Sequence, residues 1–356
     1  MNKLKNIALA FLGVLLSSNS YAACEHNVDK IESFYMNGMF TDYSEFYANK
    51  SILKRFIIAY LQEDGFNPNI QGQHNKDENK LSQIFEVARQ KWEDDDAADV
   101  IIDFLNNESS NTERAKKAIA EFLQDINVEY ESTLNEEDSL LALSKLEGIL
   151  NTCSRVVMIT HSQGNFYGNA ILNNLYSNYL FPNGYSLSDY PMLGIMQIAT
   201  PVDIPGGTIS SLYPDIVGHV TNDNDVIMQL VRDMFGATPS NYDSSENPVD
   251  STGHSLESSY LVPLGQATEI SNQMKRIAYS FSPYPMYGQW EASSSAILSF
   301  GHSGINYLLD IEFNDGSVYR YSNVTLDVFT ELLNADSHGG YFNANIRNNY
   351  STIRIE

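Results

Sequence analysis

The 356-residue sequence is short of cationic side chains: 21 Lys and Arg stand against 45 Asp and Glu, for a net charge of −24. Such a surface repels phosphate backbones and anionic membranes, so nucleic acid is not an expected partner. Cysteine is scarcer still, with two in the whole chain, Cys24 and Cys153. That excludes a disulfide-dense scaffold and a cysteine-built zinc site. No His-Glu-x-x-His, complete calcium loop or glycine-rich phosphate loop occurs, and no metal or cofactor is expected. The acidic run Glu93-Asp94-Asp95-Asp96 reads as a solvated helix junction. Past the N-terminus no apolar run approaches the roughly 18 residues of a membrane helix, so no transmembrane span is expected. Internal repeats and low-complexity tracts are absent as well.

What is there is globular material: 43% hydrophobic and 12% aromatic residues, in a chain long enough for two domains. Lys3 and Lys5 precede an apolar run from Ile7 to Leu16, and Ser20-Tyr21-Ala22 offers small residues at the cleavage positions. Residues 1–22 therefore read as a signal peptide cut before Ala23, which makes the mature protein secreted or periplasmic. An even cysteine count in an exported chain favours a Cys24–Cys153 disulfide. Tyr21-Ala22-Ala23-Cys24 is the competing lipid-attachment reading, with Tyr21 where such boxes usually carry Leu.

Along the chain, Lys30 to Met36 reads as a strand closed by the Asn37-Gly38 turn. Apolar residues at three- and four-residue spacing make residues from about 41 to 151 mostly helix, broken at Phe66-Asn67-Pro68-Asn69 and over the polar stretch from Gln73 to Lys80. Three β-leaning runs follow, Arg155 to Thr160, Met192 to Ala199 and Ile216 to Thr221, with a helical pattern from Asn165 to Leu180 between the first two. That alternation predicts a mostly parallel sheet with crossover helices. Pro283, Pro285 and Gly288 mark a boundary between a first domain over 23–285 and a second over 290–356. In the second, Tyr307 to Phe313, Asn314-Asp315-Gly316 and Ser317 to Tyr321 read as a hairpin, followed by a helix from Thr325 to Leu333. The fold class is α/β with a helical insertion, then a small α+β unit.

The chemistry concentrates at Val156-Val157-Met158-Ile159-Thr160-His161-Ser162-Gln163-Gly164-Asn165: a buried strand, a serine two residues before a glycine, then a helix. A serine on so sharp a strand-to-helix turn projects its hydroxyl above the sheet, and small neighbours at −2 and +2 let the backbone bend. Gly164 suits this; Thr160 stands where Gly is usual. A hydroxyl needs a base and an oriented imidazole to act as a nucleophile. Asp225, in Thr221-Asn222-Asp223-Asn224-Asp225, is the first choice of acid, with Asp223 and Asp203 as alternatives. His254 lies after the acid and before the domain boundary, and is the base by elimination. His161 should point away from Ser162, His219 should pack locally, His26 and His74 fall in the wrong segments, and His302 and His338 belong to the second domain. Oxyanion donors are expected from the backbone N–H of Gln163 and from Gly38 and Met39, beyond the neighbouring strand.

Phe34-Tyr35-Met36-Asn37-Gly38-Met39, Asn67-Pro68, His161-Ser162-Gln163-Gly164-Asn165, Ile198-Ala199-Thr200-Pro201 and His254 with Tyr260-Leu261 together resemble bacterial lipase-like α/β-hydrolases. The resemblance covers residues from about 30 to 265. It implies Ser162, Asp225 and His254 as a catalytic triad, with Asn37 to Met39 and Gln163 around the oxyanion. The expected activity is hydrolysis of carboxylic esters, lipase- or esterase-like, on an ester or lipid-like substrate. Thioesterase or acyltransferase chemistry would use the same residues, and a secreted binding or effector-like protein would retain only the scaffold. The C-terminal part resembles another family, the KTSC domain: Tyr319-Arg320-Tyr321, then Ala335-Asp336-Ser337-His338-Gly339-Gly340-Tyr341-Phe342-Asn343, Ile346-Arg347 and Tyr350. RNA binding has been suggested for that family and stacking aromatics would suit it. Export and the negative charge argue against it here and leave a docking or stability element, open to a protein partner.

Overall fold

Residues 31–36, 155–161 and 193–198 are buried along their whole length, on both faces of the chain. Such uninterrupted burial belongs to a parallel sheet covered on both sides. The computed structural model describes residues 29–37, 43–74, 137–181, 184–225, 237–244, 252–283 and 289–356, with positions 228, 229, 232, 249 and 250. Within them, β1 (Ile31–Met36), β2 (Gln71–Gln73), β3 (Arg155–His161), β4 (Leu193–Ile198) and β5 (Val217–Val220) form one parallel sheet in the order β2-β1-β3-β4-β5. Signal peptide, Cys24, Gly38, Met39, Glu93 to Asp96 and the helical pattern between Leu81 and Ile126 lie outside the described residues.

Helices cover both faces. On one side pack α1 (Tyr43–Tyr60) and a later helix over Leu264–Ser280; on the other pack α2 (Glu137–Leu150) and α3 (Gly164–Asn178). Each long helix owes its seat to spacing: α1 buries Phe46, Leu53, Phe56 and Ile57, and Leu264–Ser280 buries Ala267, Ile270, Met274 and Ile277. Glu137 and Asp138 sit in the first turn of α2, where the helix dipole favours negative charge. A four-residue helix, α4 (Ile209–Leu212), precedes β5, which makes Leu264–Ser280 α5.

The expectation of nearly unbroken helix over 41–151 is corrected at Gln71–Gln73, which is β2, paired in parallel with Phe34 to Met36. Gln-Gly-Gln at a sheet edge offers no apolar alternation, so nothing in its composition announces a strand. Cys153, at the turn into β3, is buried with φ 59°, and no free cysteine occurs among the described residues.

The second sheet is antiparallel: β6 (Gln289–Glu291), β7 (Ile297–Ser303), β8 (Leu308–Phe313), β9 (Val318–Ser322) and β10 (Thr352–Arg354), in the order β10-β9-β8-β7-β6. The β8–β9 hairpin turns at Asn314-Asp315-Gly316, where Gly316 has φ 82°. Two helices, α6 (Leu326–Leu333) and α7 (His338–Asn345), close its own core of Phe300, Leu309, Ile311, Tyr321, Phe329 and Phe342. Among the described residues no helix is long and apolar enough to cross a membrane.

Candidate active site

Ser162 follows the last residue of β3 with φ 54°, a left-handed conformation rarely adopted by a residue with a side chain. Holding it there costs about 1–3 kcal/mol, so the surroundings must over-determine the turn. Asn165 does much of this: its amide donates to the carbonyls of Ser162 at 2.7 Å and Ile198 at 3.0 Å. Its oxygen accepts from Thr160 Oγ1 at 2.6 Å. A Cβ on Gly164 would lie 2.7 Å from the carbonyl oxygen of Asn37, so glycine at that position lets the end of β1 approach the turn. The unusual Thr160 has a matching vacancy on α3: a Cβ on Gly168 would stand 2.8 Å from Thr160 Cγ2. Gly168, one helical turn past Gly164, thus leaves room for the Thr160 methyl group.

All three residues of the expected set meet at the carboxyl edge of the parallel sheet. His254 Nε2 lies 3.0 Å from Ser162 Oγ, and His254 Nδ1 lies 2.9 Å and 3.1 Å from the two oxygens of Asp225. With Nδ1–H donating to the carboxylate, Nε2 accepts from the serine hydroxyl. Asp225 is fully buried, while the imidazole of His254 keeps 19% of its surface open. Burial opposes charge on this ring, but the charge and hydrogen bond of Asp225, with Asp250 behind, hold its pKa above the ordinary histidine value. The alternative acids are occupied elsewhere: Asp223 accepts from Ser244 N and Oγ, each at 2.9 Å, and the exposed Asp203 accepts from Ile204 N at 2.8 Å.

Three further side chains brace the set. The buried Tyr260 hydroxyl, on a π-helical turn over Leu256–Leu261, donates to Asp225 Oδ2 at 2.7 Å and accepts from Asn222 N at 3.1 Å. Asp250 accepts from Thr252 N and Oγ1, Ser255 N and Ser259 Oγ, at 2.5–3.0 Å, and so ties down the loop that carries His254. Burial alone would raise the Asp250 pKa; these hydrogen bonds outweigh it and hold the carboxyl below its ordinary value. His161, expected merely to point away, donates from Nε2 to the His254 carbonyl at 3.0 Å. Burial, with His254 beside it, pushes its pKa down to about 3, so this ring is neutral wherever the protein is folded near neutrality. Asp250 carried a faint sequence signal, because Asp-x-Thr is an Asx-turn pattern; Tyr260 carried none that fixed its role.

Gln163 is the N-cap of α3, and the first N–H groups of a helix have no partner inside it. Its neighbours in the expected oxyanion site, Gly38 and Met39, lie outside the described residues, and Asn37 is buried at the end of β1. His219 sits within β5, where its backbone N–H donates to Gln273 Oε1. Among the described residues no group of three His, Cys, Asp or Glu side chains could hold a metal ion.

The remaining signature lies in the second unit, where the KTSC family profile matches residues 293–350. The C-terminal region belongs to the KTSC family. The chain is also 42% identical over 50 residues to an uncharacterised protein of Stutzerimonas stutzeri, a match covering 14% of this chain and 70% of that one. A crystal structure of a KTSC domain protein from Yersinia pestis is similar at 29% identity, over 19% of this chain and 96% of that one, with a TM-score of 0.19. In the KTSC domain here, Tyr319 and Tyr321 of the Tyr-x-Tyr motif are not an open stacking platform. Tyr321 is 4% exposed with its ring 5.6 Å from that of Phe342, and Tyr319 packs 5.7 Å from Phe313. Ser337 caps α7, accepting from Gly340 N at 3.2 Å, and His338 Nδ1 accepts from Ser293 N. The matched span contains none of Ser162, Asp225 and His254.

Proposed function

We propose that the protein is an exported serine hydrolase that cleaves carboxylic esters through an acyl-enzyme on Ser162. The observation that carries this reading is the unbroken chain Ser162 Oγ, His254 Nε2, His254 Nδ1, Asp225, at 3.0 Å and 2.9 Å, on a left-handed turn between strand and helix. The parallel sheet with helices on both faces supports an α/β-hydrolase fold, and the basic-then-apolar N-terminus supports export, with Cys24 and Cys153 as a disulfide pair.

In this reading Ser162 Oγ attacks the ester carbonyl carbon as its proton passes to His254 Nε2. Asp225, accepting from Nδ1, fixes the tautomer and stabilises the imidazolium. The new oxyanion is met by the Gln163 N–H and the backbone of Gly38 and Met39. Collapse of the tetrahedral centre expels the alcohol oxygen, which takes the Nε2 proton. Water then repeats the sequence, giving its proton to His254, and frees the acid and Ser162. The KTSC domain contributes no group to these steps. Hydrolysis of p-nitrophenyl esters of graded chain length tests the reading: turnover is expected in the parent and lost by roughly a thousandfold or more in Ser162→Ala and His254→Ala. Equal hydrolysis by parent and variants would refute it, and indifference to chain length would remove a lipid-like substrate.

A further inference from the structure

The strand that carries Ser162 begins at the opposite end of the sheet with a fully buried arginine, and what surrounds that arginine comes from both halves of the chain. The Arg155 side chain has no exposed surface. Its guanidinium donates to Asp29 just before β1, and to Ser303 Oγ and Asn306 Oδ1 in the KTSC domain. Ser303 Oγ in turn donates to Asp29 Oδ1 at 3.0 Å, and Ile305 N donates to Asp29 Oδ2 at 2.9 Å. The Asn306 amide reaches further, to the carbonyls of Ala278 at 3.1 Å and Phe281 at 2.9 Å, at the C-terminal end of α5 where backbone acceptors lack helical partners. Ile305 packs against the core of the first unit.

A second contact lies on the same face of the antiparallel sheet. Arg320, the middle residue of Tyr319-Arg320-Tyr321, is 5% exposed and binds Asp310 through both Nε and Nη2 at 2.7 Å. Its guanidinium stands 5.7 Å from the ring centre of Tyr190, which precedes β4 in the first unit. Asp29, Arg155 and Tyr190 all lie at the amino-terminal edge of the parallel sheet, whereas Ser162 and Asp225 lie at its carboxyl edge. The KTSC domain is therefore seated under the sheet, opposite the candidate site, and is no lid over it.

We propose that the polar face of the KTSC sheet, with its Ser303–Asn306 loop, is a docking surface whose partner is the parallel-sheet unit of the same chain, and that docking fastens the base of the nucleophile strand. A buried guanidinium is tolerated only while its donors are met, and removing one partner costs far more than the pair is worth in isolation. The loop supplies two of the groups Arg155 donates to and also caps α5, so both halves should lose stability together when it is altered. Tyr321 lies in the domain's own core and the partly buried Tyr319 packs against it, so neither belongs to the docked face.

Urea unfolding of the full-length protein tests this. The chain has two tryptophans, so Trp92→Phe leaves Trp290, packed on Phe329 in the KTSC domain, as the fluorescent reporter of that half. Far-UV circular dichroism reports mainly on the helices of the other half. The expected result is coincident midpoints by both probes, shifted down together in Asn306→Ala; if that variant does not accumulate folded, Ser303→Ala supplies the same comparison. Two separated transitions in the parent, or a shift confined to Trp290, would overturn the proposal.

Discussion

At position 168 the helix after Ser162 makes room for the end of the strand before it. Threonine at 160 crowds the strand end, and Gly168 gives its methyl group room. Gly168→Ala should therefore destabilise the fold by about 1–3 kcal/mol through overpacking. Thr160→Ala in the same chain should recover part of that loss in a double-mutant cycle of urea midpoints. Asp250 acts on charge as well as on loop geometry. With its carboxylate replaced in Asp250→Asn, the imidazolium of His254 loses a stabilising neighbour. Its titration, followed by NMR of the ring, should move to lower pH, and the acid limb of the pH–rate profile should move with it. In the parent that limb should fall above the ordinary histidine value of 6.5, because only the neutral ring can take the Ser162 proton. An unmoved titration would deny Asp250 this role.

The π-helical turn over Leu256–Leu261 is the element on which the acid depends. Tyr260→Phe strips Asp225 of one donor and leaves the buried Asn222 N–H without its acceptor. A loss of about 1–3 kcal/mol in unfolding free energy is expected from the unmet group, read from urea denaturation. This dependence was hidden in the sequence, since it rests on hydrogen bonds between segments whose meeting only the fold decides. The strands β1, β3, β4 and β5 were legible because burial on both faces forces continuous apolar runs, and the β8–β9 hairpin was legible because Asn-Asp-Gly demands a turn. β2 was not, having no apolar residue, and neither was α7, whose Gly339-Gly340 argues against helix until Ser337 caps it and Phe342 anchors it. That Ser162 and His254 would meet was legible in their order and spacing. Which of Asp225, Asp223 and Asp203 stands beside His254 is decided by the fold, which places Asp225 there and turns the other two toward backbone and serine partners of their own.

For the molecule as a whole, the buried neutral His161 makes folding sensitive to acid. Its pKa is about 3 in the folded protein against an ordinary 6.5, so below 6.5 the unfolded chain binds a proton that the folded one refuses. This contribution is present in full above 6.5 and is lost progressively as pH falls toward 3. The urea midpoint should fall less steeply between pH 7 and about 4 in His161→Gln, which keeps a donor for the His254 carbonyl, than in the parent. Equal slopes would mean that the ring is not the source. Ser162, His254 and Asp225 meet at the carboxyl edge of the parallel sheet, and the KTSC domain packs against the opposite edge.

If Ser162 is a nucleophile activated by His254, it can be trapped covalently. Incubation of the folded protein with a fluorophosphonate, followed by intact-mass and peptide mass spectrometry, should show one adduct, on Ser162, absent from Ser162→Ala and strongly slowed in His254→Ala. A folded parent that takes up no adduct, or takes it up at another residue, would contradict the account.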